Sequence, residues 1–462
     1  MQGLVPLLVL KKGEAALLAA LSVLLMGGAI IYFEWVPQLA LLAALVLLLL
    51  VGLAKKVAFA DMQQRMAAAV AAAMGAVYLF FFIGLLVSAL MMSGAIPTLM
   101  YYGFELLSPH YFYVSAFVLT ALVGIAVGSS LTTCATLGVA FMGMGDAFGA
   151  QMALTAGAVV SGAFFGDKMS PLSDTTGIAA SIVGVDLFDH IRNMAYTTVP
   201  AFVLTVLLLW WFSGSLNHAD LSRAAAFQQQ LQATGLVHVY ALLPLAVLVG
   251  LALRRVNAIL AILATVAVAL GLTYVHSSPS LAQLGAYFFS GFKLEGDFGA
   301  VNSLIGRGGI QSMFFTQTVV VLALSLGGLL FALGVIPALL EAMRHFLTNT
   351  ARATVSVAAT SVGVNVLIGE QYLSLLLAGE TFKPVYDRLG LHRRNLSRTL
   401  EDAGTVINPL VPWGVCGVFI SHTLGVPVLS YLPYAFFCYL SLALTLLFGF
   451  SGLTISRKTD AD

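Results

Sequence analysis

The sequence predicts an all-α polytopic membrane protein built from two inverted repeats, with broken helices and re-entrant hairpins. The first observation is composition: 60% of the 462 residues are hydrophobic and 9% are charged, with a mean hydropathy of +0.99. A soluble chain of this length does not need so much apolar sequence. The second is a charged, proline-containing motif inside an apolar stretch at 166–176. The third is the recurrence of two short motifs in the second half of the chain.

The apolar runs predict about 12 transmembrane segments, because a helix needs roughly 20 apolar residues to cross a bilayer. Two further stretches, 128–149 and 371–387, are apolar with scattered polar residues, and each is either a re-entrant hairpin or an additional span. The predicted segments are 15–33, 37–54, 67–92, 111–127, 150–182, 194–213, 238–253, 257–275, 309–331, 353–369, 399–423 and 428–450.

Basic residues between the apolar runs predict the orientation, since cytoplasmic loops carry an excess of Lys and Arg. The loops 214–237 and 276–305 contain one basic residue each, which places them outside. Both termini are therefore expected in the cytoplasm, and the net charge of +1 gives no reason to expect a nucleic acid partner. The loops assigned to the cytoplasm carry Lys11, Lys12, Lys55, Lys56, Arg65, Arg192, Arg254, Arg255, Arg344, Arg352, Arg393, Arg394, Arg398, Arg457 and Lys458.

The motif at 166–176 reads Gly-Asp-Lys-Met-Ser-Pro-Leu-Ser-Asp-Thr-Thr and lies where a spanning helix is expected. A charge at the centre of such a helix costs roughly 2.5–3.5 kcal/mol on insertion scales. Pro171 removes a backbone donor and breaks the helix. Because a broken backbone at membrane depth is tolerated only in a cavity or buried in protein, the motif predicts an ion or solute site.

The recurring motifs divide the chain into two halves. Pro337, in Gly-Val-Ile-Pro, follows Pro97, in Gly-Ala-Ile-Pro, by 240 residues. Pro409 follows Pro171 by 238 residues, each five residues after a glycine. The basic loops that flank the second pair lie at opposite ends of their spans, so the repeats are inverted, as in secondary transporters with a site near the membrane midplane. The predicted units are 1–215, an external linker at 216–237, and 238–462.

The motif at 166–176 resembles the signature of the NhaC-type sodium/proton antiporters, which belong to a larger ion transporter superfamily. The resemblance extends over most of the chain, and it implies inverted repeats with hairpins, an antiporter rather than an enzyme, and a bacterial inner membrane. It implies no cofactor, with Na+ and H+ as the transported or coupling ions. Other similar stretches are 94–99, 128–133, 307–309, Asn365 with 369–372, 398–405 and 408–413.

One departure from the family pattern leaves the solute open. Typical members continue the motif with Asn-Leu-Ala, whereas this chain has Gly177-Ile178-Ala179, which removes one polar oxygen. The family also includes members that look like exchangers of small organic acids or amino acids. A Na+- or H+-coupled exchanger of a malate- or lactate-like acid is therefore the alternative to Na+/H+ exchange. The expected partners are Na+, H+, such a solute and membrane lipid, and a homodimer is compatible with the sequence.

The candidate ion-binding residues are oxygen-bearing side chains around the two proline breaks, because Na+ prefers oxygen ligands. Asp174 is predicted to be the principal exchanger carboxylate, since one carboxylate that binds either a proton or a cation couples the two fluxes. Asp167 is either a second ligand or the partner of Lys168 or of another basic group. The full set is Asp174, Asp167, Ser170, Ser173, Thr175, Thr176, Thr405 and Asn408.

Two further groups of residues are candidates for the solute and for gating. Hydroxyls after Gly128 suit a solute carboxylate at a half-helix N-terminus, or equally the packing of small residues between helices. Glu401, Asp402 and Lys168 suit a gate or proton path, and the alternative for the two acids is a solvated helix start. The substrate candidates are Ser129, Ser130, Thr132, Thr133, Asn365, Glu370 and Gln371.

Other function classes are weaker fits. Gly143-Met-Gly-Asp146 and Tyr386-Asp387 resemble the two aspartate motifs of intramembrane proteases, although in reversed order. No stretch resembles a carbonyl-lined channel filter. The three cysteines lie in apolar segments without the spacing of a disulfide framework or of a metal site.

Overall fold

The computed structural model describes residues 6–72, 74–214, 221–344 and 348–458. Regular structure in these ranges is helical, apart from an isolated bridge between Leu391 and Arg457. The first half contains α1 (Lys12–Ile31), α2 (Pro37–Ala54), α3 (Phe59–Ala72), α4 (Met74–Met92), α5 (Ala95–Leu106), α6 (Phe112–Val127), α7 (Ser130–Thr133), α8 (Val139–Ala147), α9 (Met152–Met169), α10 (Asp174–Val183), α11 (Leu187–Ser213) and α12 (Leu221–Ala233).

The second half repeats this order of long, short and broken helices. Two π-helical turns, Cys134–Gly138 and Glu401–Thr405, interrupt the α-helical hydrogen bonding. The helices are α13 (Leu243–Leu253), α14 (Ala258–His276), α15 (Leu281–Ser290), α16 (Ala300–Ile305), α17 (Ile310–Ala332), α18 (Val335–Arg344), α19 (Thr350–Ile368), α20 (Gln371–Arg388), α21 (Arg393–Leu400), α22 (Val415–Leu424), α23 (Val428–Tyr431) and α24 (Phe436–Ser451).

The prediction of a polytopic helical membrane protein with broken helices is confirmed. Seven helices in the described ranges are long and apolar enough to cross a membrane, and ten spans result if each bent pair is one span. The difference from about 12 predicted spans has two causes. The stretch 150–182 is divided by the break at Pro171 between α9 and α10, and the apolar helix at Val239–Leu253 is short for a full crossing.

Residues 112–148 form a helical hairpin rather than an additional span. α6 ends at Gly128, whose φ of +69° lets the chain reverse. The chain then returns along α6, so the ring of Phe112 packs 5.4 Å from that of Phe148. The tip lies against the break after α9, where Ser170 Oγ donates a 2.7 Å hydrogen bond to the carbonyl of Ile125.

Residues 350–388 form the second hairpin, with its tip at the other break. α19 ends at Gly369 with φ +78°, and Ser374 Oγ of α20 donates to the carbonyl of Ser361 at 2.8 Å. The amide of Val415 donates to the carbonyl of Gly369 at 2.8 Å, which joins the tip to the start of α22. Each hairpin tip therefore meets a broken helix inside the protein.

The two hairpins open towards opposite faces, as inverted repeats require. The broken helix α9–α10 begins at the open end of the first hairpin, where the amide of Gln151 donates to the hydroxyl of Tyr113 at 2.9 Å. It ends beside the open end of the second, where Arg393 Nη1 donates to the carbonyl of Val183 at 3.4 Å. The unit boundaries at 215 and 238 stay predictions, and residues 216–220 of the expected linker lie outside the described residues.

Replacing Gly369 by Ala is expected to destabilise the protein by about 2 kcal/mol. A left-handed conformation costs a non-glycine residue roughly 1–2 kcal/mol, and a Cβ at Gly369 would lie 2.9 Å from the carbonyl oxygen of Trp413. Thermal unfolding of the purified variant measures the loss. The matched control is Gly363→Ala in the same hairpin, where a Cβ meets nothing within 4 Å. Equal unfolding temperatures for the two variants would contradict the strained-tip explanation.

Candidate ion site

The first broken helix leaves backbone oxygens that the motif's own side chains satisfy. Pro171 has no N–H, so the carbonyl of Asp167 loses its helical donor. The carbonyl of Asp167 accepts from the amide of Ser170 at 3.2 Å, and Thr176 Oγ1 donates to the carbonyls of Lys168, at 3.1 Å, and Asp167, at 3.4 Å. Ser173 then caps α10, its Oγ accepting from the amide of Thr176 at 3.4 Å. The motif's own hydroxyl groups therefore help to end α9 and to begin α10.

Asp167 lies at the centre of a cradle of hydroxyl groups. Its side chain is buried, with 5% of the residue exposed. Ser130 Oγ, from the first hairpin tip, donates to Asp167 Oδ2 at 2.6 Å, and Ser173 Oγ donates to Oδ1 at 2.6 Å. Thr175 Oγ1 lies 3.0 Å from Ser173 Oγ. This set of a carboxylate and neighbouring hydroxyls has the oxygen chemistry that Na+ prefers.

Asp174 lies beside this cradle but outside its hydrogen-bond network. It is the first residue of α10 and is exposed. Within the described ranges no side chain donates a hydrogen bond to its carboxylate, although it is near enough to Asp167 to interact electrostatically. Asp174 as the principal exchanger carboxylate stays a prediction.

Two asparagine side chains form hydrogen bonds with backbone groups at the second helix break. Asn365 Nδ2 donates to the carbonyl of Gly404 at 2.7 Å, and Asn408 Nδ2 donates to Asn365 Oδ1 at 2.8 Å. Asn408 Oδ1 accepts from the amide of Cys416 at 2.9 Å. These amides satisfy backbone groups on both sides of the break at Pro409, so each asparagine has a clear structural role at its predicted position.

A buried ion pair joins the two repeats. Lys168 and Asp402 form a salt bridge in which neither side chain is exposed. Thr197 Oγ1, from α11, donates to Asp402 Oδ2 at 2.9 Å, and Lys168 Nζ lies 5.8 Å from the ring centre of Phe437. Lys168 therefore pairs across the repeat interface rather than with its neighbour Asp167. The solvated helix start, considered for Glu401 and Asp402, is excluded because both are fully buried.

The polar residues at the hairpin tips act mainly on their own backbone. Ser129 caps α7 by accepting from the amide of Thr132 at 3.3 Å, and Thr133 Oγ1 donates to the carbonyl of Ser129 at 2.8 Å. Glu370 caps α20 by accepting from the amide three residues later at 2.7 Å. Glu370 and Gln371 also line a cavity of about 40 Å³, whose other walls are largely apolar.

Comparison with known proteins agrees with this arrangement. Residues 162–453 match the Na+/H+ antiporter family. The chain is 40% identical to the Na+/H+ antiporter NhaC of Alkalihalophilus pseudofirmus over 425 residues, which are 91% of this chain and 92% of that protein. It is 42% identical to the Bacillus subtilis protein of the same name over 375 residues, 80% and 82% of the two chains.

The chain belongs to the Na+/H+ antiporter family. A further relative is the malate-2H+/Na+-lactate antiporter of Bacillus subtilis, which is 32% identical over 426 residues, 91% of each chain. The predicted resemblance to NhaC-type antiporters is therefore confirmed.

The antiporter fold also separates the two aspartates that resembled a protease pair. Asp146 lies at the open end of the first hairpin, where Arg223 Nη2 is 3.4 Å from its carboxylate. Asp387 lies at the open end of the second and is bridged by Arg393 at 2.6 Å and Lys458 at 2.9 Å. The Arg393 guanidinium, with Lys458, lowers the pKa of Asp387 to about 2. These carboxylates cannot share a proton as a catalytic pair does.

Sequence reasoning missed the contribution of α11 to the antiporter's buried polar centre. Thr197 bonds Asp402, and the fully buried His190 is near enough to Lys168 to interact electrostatically. A signal was present, because His190, Asn193 and Thr197 recur at helical spacing on one face of an apolar helix. Polar residues on one face of a membrane helix indicate a face turned towards the protein interior.

Proposed function

We propose that this chain is a secondary active transporter that exchanges Na+ for H+ by alternating access. The observation that carries the proposal is the cradle in which the buried carboxylate of Asp167 accepts hydroxyl hydrogen bonds from Ser130 and Ser173. These oxygens come from a hairpin tip and from both sides of a broken helix. That is the construction in which secondary transporters hold coupling ions.

The proposed coupling follows from the cost of a buried charge. An ionised carboxylate in a low-dielectric interior is stabilised by a bound cation or neutralised by a proton. If Asp167 binds either Na+ or H+ and the empty carrier crosses slowly, the two ions move in opposite directions. Asp174, exposed at the start of α10, is the second proposed ion ligand, at the approach to the cradle.

Exchange of a small organic acid is the second candidate, because one relative is named for malate and lactate. The cavity at the second hairpin tip, about 40 Å³, has room for water-sized species. Pockets for small organic ligands are roughly 300–1,000 Å³. In the conformation described, this cavity is therefore too small for a dicarboxylate and does not support the organic-acid alternative.

The test uses the purified full-length protein in liposomes that contain a pH-sensitive dye. An inward Na+ gradient is expected to drive protons outward without any organic solute, and a choline gradient is expected to drive none. Proton movement only after addition of malate, lactate or an amino acid would support the organic-acid exchanger instead. No response in either arm would contradict both proposals.

The proposed location is the inner membrane of a bacterial cell, with both termini in the cytoplasm. This orientation follows from the basic loops. In the described part of the chain, residues 452–458 pack at the same face as the basic start of α21, where Lys458 bridges Asp387. Labelling of single cysteines placed in the 393–394 and 223–233 segments from outside spheroplasts tests it, with labelling of only the second expected.

A further inference from the structure

The second broken helix contains buried polar atoms that the proposed exchange at Asp167 does not use. Both carboxylate oxygens of Glu401 and the hydroxyl of Thr405 are buried, and among the described residues these groups have only each other as hydrogen-bond partners, with no positive charge bonded to the carboxylate. A buried polar group without a partner is costly, and a buried carboxylate without one is the most costly kind. A ligand that supplies positive charge at this point would remove that cost.

The charges around Glu401 do not supply a partner from within the described chain. Lys168 is near enough to interact with Glu401, but its ammonium is paired with Asp402. Arg398, one turn earlier, donates its hydrogen bond to the hydroxyl of Thr454 in the C-terminal segment. The remaining charges within reach of Glu401 are acidic, so the local electrostatics favour a cation.

The backbone at Glu401 departs from regular α-helical hydrogen bonding. Glu401–Thr405 is a π-helical turn, a feature that occurs often at functional sites in helical proteins. The carbonyl of Gly404 in this turn is already taken by Asn365 Nδ2, at 2.7 Å. Within this turn, the side chains of Glu401 and Thr405 are therefore left with only each other as partners among the described residues.

Each half places at the shared centre one carboxylate that has no salt bridge among the described residues, Asp167 in the first half and Glu401 in the second. By the 238-residue offset, Thr405 corresponds to Asp167, and Glu401 corresponds to the fully buried Ala163. The carboxylate in the second repeat is thus one helical turn earlier than that in the first. Asp167 and Glu401 are nevertheless near enough to interact electrostatically.

We propose that Glu401 and Thr405 form a second Na+ site in this protein, distinct from the Asp167 cradle. The carboxylate supplies the charge and the hydroxyl supplies a neutral oxygen ligand, which is the ligand chemistry that Na+ prefers. This inference rests on the proposed function, since it adds a second cation to a chain that already binds Na+ at Asp167.

The test is titration calorimetry of the purified full-length protein with NaCl, with choline chloride as the blank. The wild type is expected to bind two Na+ per chain, and Glu401→Gln and Asp167→Asn one each. Glu380→Gln, which removes an exposed acid on α20, is the matched control and is expected to bind two. One Na+ per chain in both the wild type and Glu401→Gln would overturn the second site and leave the proposed exchange intact. No Na+ bound by the wild type would overturn both.

A second variant keeps the proposal testable if Glu401→Gln does not fold. Thr405→Ala keeps the carboxylate and removes the hydroxyl ligand. It is expected to weaken one of the two Na+ affinities by about tenfold and to leave the other unchanged. Two unchanged affinities in Thr405→Ala would contradict the proposed ligand set.

Discussion

Replacing Asp167 by Asn is expected to reduce sodium-driven proton movement by about 100-fold or more. The amide keeps the size of the side chain but removes the negative charge, and a charge–charge contact at a partly screened site is worth about 4 kcal/mol. One of the hydroxyls of Ser130 and Ser173 can still donate to the amide oxygen, and the other can rotate to accept from the amide NH2 group, so the side chain stays in place. The measurement is dye-reported proton flux in liposomes under an imposed Na+ gradient, normalised to reconstituted protein.

Two variants serve as comparisons for Asp167→Asn. Asp189→Asn removes an exposed acid at the start of α11 and is expected to transport as well as the wild type. Asp174→Asn tests the sequence-based prediction that this residue is the principal exchanger carboxylate. If Asp174→Asn abolishes transport while Asp167→Asn keeps most of it, the cradle at Asp167 is not the exchange site.

Replacing Lys168 by Met is expected to destabilise the folded protein by about 3–5 kcal/mol, since removing one partner of a buried pair leaves the other charge uncompensated. Asp402 keeps only its hydrogen bond from Thr197, at 2.9 Å. The readouts are the thermal unfolding temperature and the yield of monodisperse protein. Arg192→Met, at an exposed salt bridge, is the matched control and is expected to change stability by less than about 1 kcal/mol.

The double variant Lys168→Met/Asp402→Asn distinguishes the effect of losing the ion pair from the effect of changing the packing of the Lys168 side chain. Neutralising Asp402 as well removes the uncompensated charge, so the double variant is expected to recover about half of the stability that Lys168→Met loses. The amide still accepts the hydrogen bond of Thr197. A double variant whose loss equals the sum of the two single losses would show that the pair contributes no coupling.

Much of the helical architecture could be predicted because apolar length and local breakers determine it. Ten of the predicted runs coincide with helices or bent pairs that are long enough to cross a membrane. Gly128 and Gly369 could be expected at chain reversals, since their positive φ favours glycine. Composition could not decide between hairpins and spans, because an 18-residue helix such as α20 satisfies both.

The sequence indicated which charged residues are unusual, but not which residues they contact in the structure. The motif at 166–176 identified Asp167 and Lys168 as unusual charges, yet adjacent positions on a helix point about 100° apart. Lys168 therefore reaches Asp402, 234 residues later in the chain, while Asp167 faces the hydroxyls of Ser130 and Ser173. Sequence spacing holds no information about such long-range partners.

By itself, the sequence determined that this is a helical membrane protein, where its helices break and which family it resembles. Those properties follow from local chemistry: apolar length, proline without an N–H, and charges that are too costly to leave in lipid. Only the tertiary structure decided which charges meet. Glu401 is left buried without a salt bridge among the described residues, and Lys168 is neutralised by Asp402, because α9 packs against the turn Glu401–Thr405 from the other repeat.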